Sequence, residues 1–83
     1  MTAELIVYSR QGCHLCEELI EMLLPIARGR CDVSVVDIDT DSQLQERYNL
    51  RVPVLTAGDI EICEGRLDTA RLYAFLRSLQ PTE

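Results

Sequence analysis

The chain contains no lysine, since all eight of its basic residues are arginines, set against fourteen acidic residues. This absence excludes any mechanism that needs a lysine amine, either as a Schiff-base former or as a cation beside a nucleophilic thiol. The formal net charge of −6 argues against polyanionic partners. We therefore expect neither nucleic acid nor a membrane surface to bind this protein.

Long hydrophobic runs are absent as well. No apolar run approaches the roughly 20 residues that cross a bilayer, and the first four residues lack the basic region of a signal peptide. With 47% hydrophobic and 27% charged residues, the chain has the composition of one globular domain. We expect a single domain over residues 1–83 that is monomeric and cytoplasmic, where cysteines serve redox or metal chemistry rather than structural cross-linking.

Two of the four cysteines form a C-x-x-C motif, Cys13-His14-Leu15-Cys16. The motif follows the apolar run 5–8, which predicts a strand buried on both faces, and precedes a long helical pattern. At a helix start, free N–H groups and the helix dipole favour a thiolate. We predict that Cys13 is the nucleophile and that Cys16, one turn inside the helix, is the resolving thiol.

Few other groups can assist these thiols. The cations near enough for a Cys13 thiolate are Arg10, Arg51 and a protonated His14, which we expect to be a solvent-facing modulator. A zinc site needs four ligands, and the motif supplies only two. Since His14 is the only histidine and no second C-x-x-C exists, we predict no metal site.

Hydrophobic patterning predicts the element order βαβαββα. The expected strands are residues 5–8, 33–39, 52–56 and 60–63, the last two joined at a turn over 57–59. The first helix runs from Cys13 towards Gly29, with a kink or an early end at Pro25. The second is short, with a capping box of Thr40 and Gln43, and extends to about residue 48.

The last helix is predicted to begin at Asp68, an N-cap residue, with Leu67 and Leu72 forming a hydrophobic staple. Pro81 is expected to end it. Its expected buried stripe consists of Leu72, Phe75, Leu76 and Leu79.

The motif at residues 13–16, the pair Val52-Pro53 opening the third strand and the element order together resemble the glutaredoxins. More specifically, they resemble the short glutaredoxin-like proteins of the thioredoxin fold, and the runs 12–18, 36–39 and 51–55 are similar to patterns of that group. The resemblance covers essentially the whole chain. It implies an α/β thioredoxin-like fold of the glutaredoxin type, with a four-stranded mixed sheet in the order 2-1-3-4 and flanking helices.

The resemblance also implies a function, thiol–disulfide exchange by Cys13 and Cys16. The substrates would be disulfide-containing proteins, and a thiol reductant, either a reductase or glutathione, would restore the enzyme. Pro53 would be cis and opposite the motif, leaving the Val52 backbone free to pair with a substrate. The implied substrate contacts are Gly12, His14, Arg51, Val52, Pro53, Gly65 and Asp68.

The other two cysteines, Cys31 and Cys63, are expected to remain free thiols. The implied strand order places Cys31 and Cys63 at opposite edges of the sheet, roughly 14 Å apart, too far for a disulfide. Glutathione-binding glutaredoxins carry Gly-Gly before the last helix, whereas this chain has Glu64-Gly65, so we predict that glutathione is a poor partner. We expect that no cofactor is required.

The alternative function is a dimeric iron–sulfur cluster carrier, or another binding module that uses Cys13. The iron content of the protein after anaerobic purification would distinguish a cluster carrier from an oxidoreductase.

Overall fold

The computed structural model describes residues 3–79, which form one four-stranded sheet in the order β2-β1-β3-β4. β1 pairs with β2 in parallel, and the pairs β1–β3 and β3–β4 are antiparallel. The predicted element order and strand order are both confirmed. The elements are β1 (Ala3–Ser9), α1 (His14–Ala27), β2 (Cys31–Asp37), a 3-10 turn (Ile38–Thr40), α2 (Ser42–Tyr48), β3 (Val54–Ala57), β4 (Ile60–Glu64) and α3 (Thr69–Ser78).

The main core joins one face of the sheet to α1 and α3. In β1, Leu5 and Val7 are fully buried while Ile6 and Tyr8 are half-buried, so the expectation of full burial on both faces is wrong for one face. Successive strand residues point to opposite faces, which explains the alternation. The buried members of this main cluster are Leu5, Val7, Leu19, Leu23, Ala27, Cys31, Leu55, Ala57, Ile62, Leu72 and Leu76.

A second, smaller cluster contains buried Ile38, Tyr48 and Val54. Tyr8, Leu44 and Val52 pack against it. The rings of Tyr8 and Tyr48 are stacked, with centroids 4.4 Å apart. Because this cluster joins the 3-10 turn and α2 to the end of β1 and the start of β3, it supports the end of the sheet where the C-x-x-C motif lies.

The end of β2 and the start of α2 both differ from the prediction, because side-chain hydrogen bonds to backbone N–H groups fix them. β2 spans residues 31–37 rather than 33–39, because the Asp37 carboxylate accepts the Asp39 N–H at 2.9 Å and turns the chain into the 3-10 turn. The cap of α2 is Asp41, which accepts the Gln43 N–H at 2.8 Å. The predicted capping box is therefore wrong, since the Thr40 hydroxyl donates to the Asp37 carbonyl instead.

The ends of α1 and β3 also differ in detail. α1 continues through Pro25 to Ala27, so Pro25 does not end it. Gly29 follows with φ +78°, a left-handed conformation that suits a glycine after a helix end, as predicted. β3 begins at Val54, and Pro53 precedes the strand rather than opening it.

α3 begins as predicted, with the Asp68 carboxylate accepting the Arg71 N–H at 3.1 Å. Leu72 and Leu76 are buried and Phe75 is half-buried, but Leu79 is 41% exposed at the C-cap, so its predicted burial is wrong. The expected stop at residue 81 lies outside the described residues. None of the helices within residues 3–79 is long and apolar enough to cross a membrane.

Candidate active site

One end of the sheet brings the predicted site segments together. β1 and β2 finish side by side, with Ser9 opposite Asp37. In the antiparallel pairs, Val54 at the start of β3 lies opposite Tyr8 and opposite Glu64 at the end of β4. The loops that follow β1, β2 and β4 and the loop that precedes β3 therefore share one end of the sheet, which we call the motif end.

The C-x-x-C pair begins α1 at this motif end. Cys13 is the N-cap residue, and its Sγ accepts the Cys16 N–H at an N···S distance of 3.2 Å. The two cysteines are joined by a disulfide, with their Cα atoms 5.2 Å apart. Cys13 is half-buried whereas Cys16 is only 1% exposed. An amide donor and the helix start both favour a thiolate at Cys13, the more accessible sulfur.

His14 lies along the outer surface of α1. Its side chain is 81% exposed, and Nε2 is 2.8 Å from the Glu18 carboxylate. Glu17 is the next acid, 4.0 Å from Nδ1. His14 thus faces solvent and contacts its own helix.

Arg10 is held by the segment that follows β2. Its Nη2 is 2.8 Å from Asp39 Oδ1 and its Nε is 3.2 Å from Oδ2, while Nη1 donates to Asn49 Oδ1 at 2.9 Å. Gln45 donates to the same Asp39 carboxylate at 2.9 Å. Hydrogen bonds from Arg10 and then Gln45 lower the pKa of Asp39 below its ordinary value. Arg10 therefore ties two loops together.

Arg51 is held by two glutamates of β4. Its Nε and Nη2 both donate to Glu64 Oε1, at 3.2 and 3.0 Å, and Nη2 also donates to Glu61. The guanidinium carbon lies over the Tyr48 ring, 5.5 Å from its centroid. These hydrogen bonds to Glu64 and Glu61 raise the pKa of Arg51. Arg51 was predicted from the sequence as a site residue, whereas its pairing with the two glutamates depends on the register of the β3–β4 hairpin.

The Val52–Pro53 peptide bond is cis, as predicted. Pro53 is buried, and its carbonyl accepts the Gly65 N–H at 2.8 Å, which joins the two loops on either side of the β3–β4 hairpin. The Val52 N–H donates to the Tyr48 carbonyl at 3.2 Å. The expectation of a wholly free Val52 backbone is therefore wrong for the amide, whereas the Val52 carbonyl accepts no hydrogen bond from residues 3–79.

The other predicted contacts are placed as follows. Gly12 precedes the N-cap with φ +76°, and Gly65 follows β4 with φ +77°. Asp68 caps α3. The thiols of Cys31 and Cys63 are both free, and burial raises the pKa of each. Within the described range 3–79 there is no group of three or more side chains that could hold a metal ion.

A mixed sheet in the order 2-1-3-4, with a C-x-x-C pair at a helix start and a cis-proline at the same end, defines a protein of the thioredoxin fold. The family model described as Glutaredoxin-like domain (DUF836) matches residues 4–77, and the chain belongs to this family. The family resemblance proposed from the sequence is thus confirmed. The comparison with curated proteins gave no match.

Solved structures support both assignments. Protein Ne2328 from Nitrosomonas europaea is 40% identical, with a TM-score of 0.81 over 90% of this chain and 92% of its own. The protein XcR50 from X. campestris is 37% identical, with a TM-score of 0.71 over 92% of this chain and 99% of its own. The thioredoxin Deadhead of Drosophila melanogaster is 20% identical, with a TM-score of 0.56 over 95% and 82% of the two chains, and shows the fold alone.

Proposed function

We propose that this protein is a thiol–disulfide oxidoreductase that acts on disulfides of protein substrates. The observation that carries the proposal is the asymmetry of the two cysteines. The half-buried Cys13 sulfur caps α1 and accepts the Cys16 amide, while the Cys16 sulfur is buried one turn deeper. The glutaredoxin-like fold supports a redox role for such a pair.

The reaction starts from the dithiol form. The Cys13 thiolate attacks one sulfur of the substrate disulfide, whose S–S bond breaks, and the second substrate sulfur leaves as a thiolate and takes a proton from water. The Cys16 thiolate then attacks the Cys13 sulfur and releases the first substrate sulfur. The substrate has gained two electrons, and the protein carries the Cys13–Cys16 disulfide. A dithiol donor, either a reductase or another reduced protein, returns it to the dithiol.

Substrate binding in this proposal uses the motif end. The Val52 carbonyl is the backbone acceptor for a substrate N–H, and the next residue, Pro53, is buried. Gly12 and Gly65 let the loops beside the motif approach a bound chain closely. The cytoplasm, the location expected from the sequence, supplies reductants of the required class.

Trapping the mixed disulfide tests this mechanism. Cys16→Ser retains the attacking thiol and lacks the resolving one, so mass spectrometry after exposure to a peptide disulfide should detect one bound peptide on Cys13. Cys13→Ser should bind no peptide at the C-x-x-C motif and should lose turnover by a factor of at least about a hundred. Cys63→Ser is the matched control, since it removes a half-buried thiol of raised pKa and should retain turnover.

Two results would contradict the proposal. Capture by Cys13→Ser without capture by Cys16→Ser would reverse the two roles. Absence of exchange in the reduced native chain, with both thiols intact, would exclude the oxidoreductase function itself.

A further inference from the structure

We propose that Glu61 and Glu64 determine the substrate specificity of this site: by holding Arg51 they select polypeptide disulfides whose cysteine has no acidic neighbour, against thiols that carry a carboxylate. This inference rests on the proposed oxidoreductase function and names its substrate class.

Arg51 is the residue next to Val52, whose carbonyl is the proposed backbone contact for a substrate. It lies two residues before the buried Pro53, in the loop that enters the motif end. A guanidinium presents donors in a planar fork that matches a carboxylate. Here Glu64 takes the Nε and Nη2 donors of that fork, and Glu61 takes Nη2 as well. The guanidinium carbon also lies over the Tyr48 ring. An incoming carboxylate that binds across the Nε and Nη2 donors therefore has to displace one that belongs to the protein.

A bulge in the β3–β4 hairpin makes this double contact with Arg51 feasible. Glu61 and Glu64 are three residues apart, and in a regular strand they would point to opposite faces. The pairing shifts between Leu55 and Thr56, which lie opposite Cys63 and Glu61, so one extra residue, Ile62, is inserted. Ile62 is buried in the main cluster, and both glutamates reach the same guanidinium.

The other arginines near the motif do not replace Arg51. Arg10 is bound to Asp39 and Asn49. Arg66 forms no ion pair within residues 3–79, but it stands between Glu64 and Asp68 in the chain. A substrate carboxylate would thus meet Arg10 and Arg51 already paired with carboxylates. Near Arg66 it would meet the flanking acids Glu64 and Asp68, which repel it. A neutral polypeptide needs no such cation, because the free Val52 carbonyl supplies a backbone contact.

Two peptides test the inference directly. They are identical except that a single cysteine is flanked by glutamate or by glutamine, and each cysteine is blocked as a thiopyridyl disulfide. Attack by Cys13 forms the protein–peptide disulfide and releases pyridine-2-thione, whose absorbance gives the rate. Because both peptides release the same leaving group, a difference in rate reports on the peptide alone. We expect the reduced protein to attack the glutamine peptide about three to ten times faster at low salt, and the ratio to approach one in 1 M salt, where the Debye length is about 3 Å.

The variant Glu61→Gln/Glu64→Gln should reduce this ratio at least threefold, because it frees Arg51 to bind the acidic peptide. Adding Arg51→Gln to that variant should remove the gain for the acidic peptide. The matched control is Glu21→Gln/Asp32→Asn, which deletes the same number of charges at exposed positions outside the motif end and should keep the native ratio. Urea unfolding of each variant checks that it folds, and the single substitutions serve if the double variant does not.

The outcomes separate the two proposals. A native ratio near one, or a ratio that the double variant leaves unchanged, would overturn the inference while exchange itself continues. An equal change in the control variant would attribute the selectivity to net charge and overturn it too. No release from either peptide by the reduced native protein would overturn the proposed function, and the inference with it.

Discussion

Asp39 shows how a single residue organises the motif end. Its carboxylate accepts hydrogen bonds from Arg10 and Gln45, and its amide donates to Asp37. Arg10 belongs to the loop before the C-x-x-C motif, so this network fixes that loop against the 3-10 turn. The folded-state pKa of Asp39 is lowered below its ordinary value of 3.8, first by the hydrogen bond from Arg10.

The sign of this pKa shift gives a pH-dependent prediction. A lowered folded-state pKa adds stability that is present above the ordinary value of 3.8 and is lost as the pH falls through the folded value. Asp39→Asn should therefore lower the free energy of unfolding at pH 6, and the difference from the native chain should shrink below pH 3.8. Urea unfolding across this range measures it, and the effect should be small and salt-sensitive because the pair is exposed.

Asp59→Asn is the control for this measurement, since the Asp59 side chain is exposed in the hairpin turn and has no hydrogen-bond partner within residues 3–79. Its effect on the free energy of unfolding should be slight at pH 6 and at pH 3. A difference for Asp39→Asn that stays constant down to pH 3 would contradict the assigned role of the carboxylate.

Helix α3 and its C-cap provide two leucines in contrasting environments. Leu72 is fully buried in the main cluster, and Leu79 at the C-cap is 41% exposed. Leu72→Ala should cost about 2 to 5 kcal/mol of unfolding free energy, because it leaves a cavity in the core. Leu79→Ala should cost less than about 0.5 kcal/mol. Chemical denaturation of both variants measures the pair, and similar losses would place Leu79 in the core after all.

Elements were largely predictable from the sequence, because apolar periodicity reports the face on which an element is buried. Their ends were not, because local hydrogen bonds decide them: Asp37 ends β2 and Asp41, not Thr40, begins α2. Leu79 fits the helical stripe but lies where α3 stops packing.

The candidate site likewise has residues that a local motif predicts and residues whose partners depend on the folded structure. Cys13 and Cys16 follow from a motif placed between a strand and a helix, which is local information. The partners of Arg51 lie 10 and 13 residues away, and their positions depend on hairpin register and on a bulge that no short pattern encodes.

The strand order sets the distribution of stability across the protein. β1 and β3 each have two neighbours, while β2 and β4 have one neighbour each in the described sheet. Local openings start where few contacts must break. Hydrogen exchange followed by NMR should therefore find the slowest amides in β1 and β3, at least tenfold slower than those of β2. Slower exchange in β2 than in β1 would mean that the outer strand is not the weaker one.

The hairpin turn at Gly58 and Asp59 lies at the end of the sheet away from the C-x-x-C motif. The sequence has no lysine. Asp59→Lys would thus place one amine-bearing side chain at the end distant from Cys13. With the α-amino group blocked, coupling chemistry directed at the lysine amine would immobilise the protein on a sensor surface in one orientation, with its thiols facing the solution.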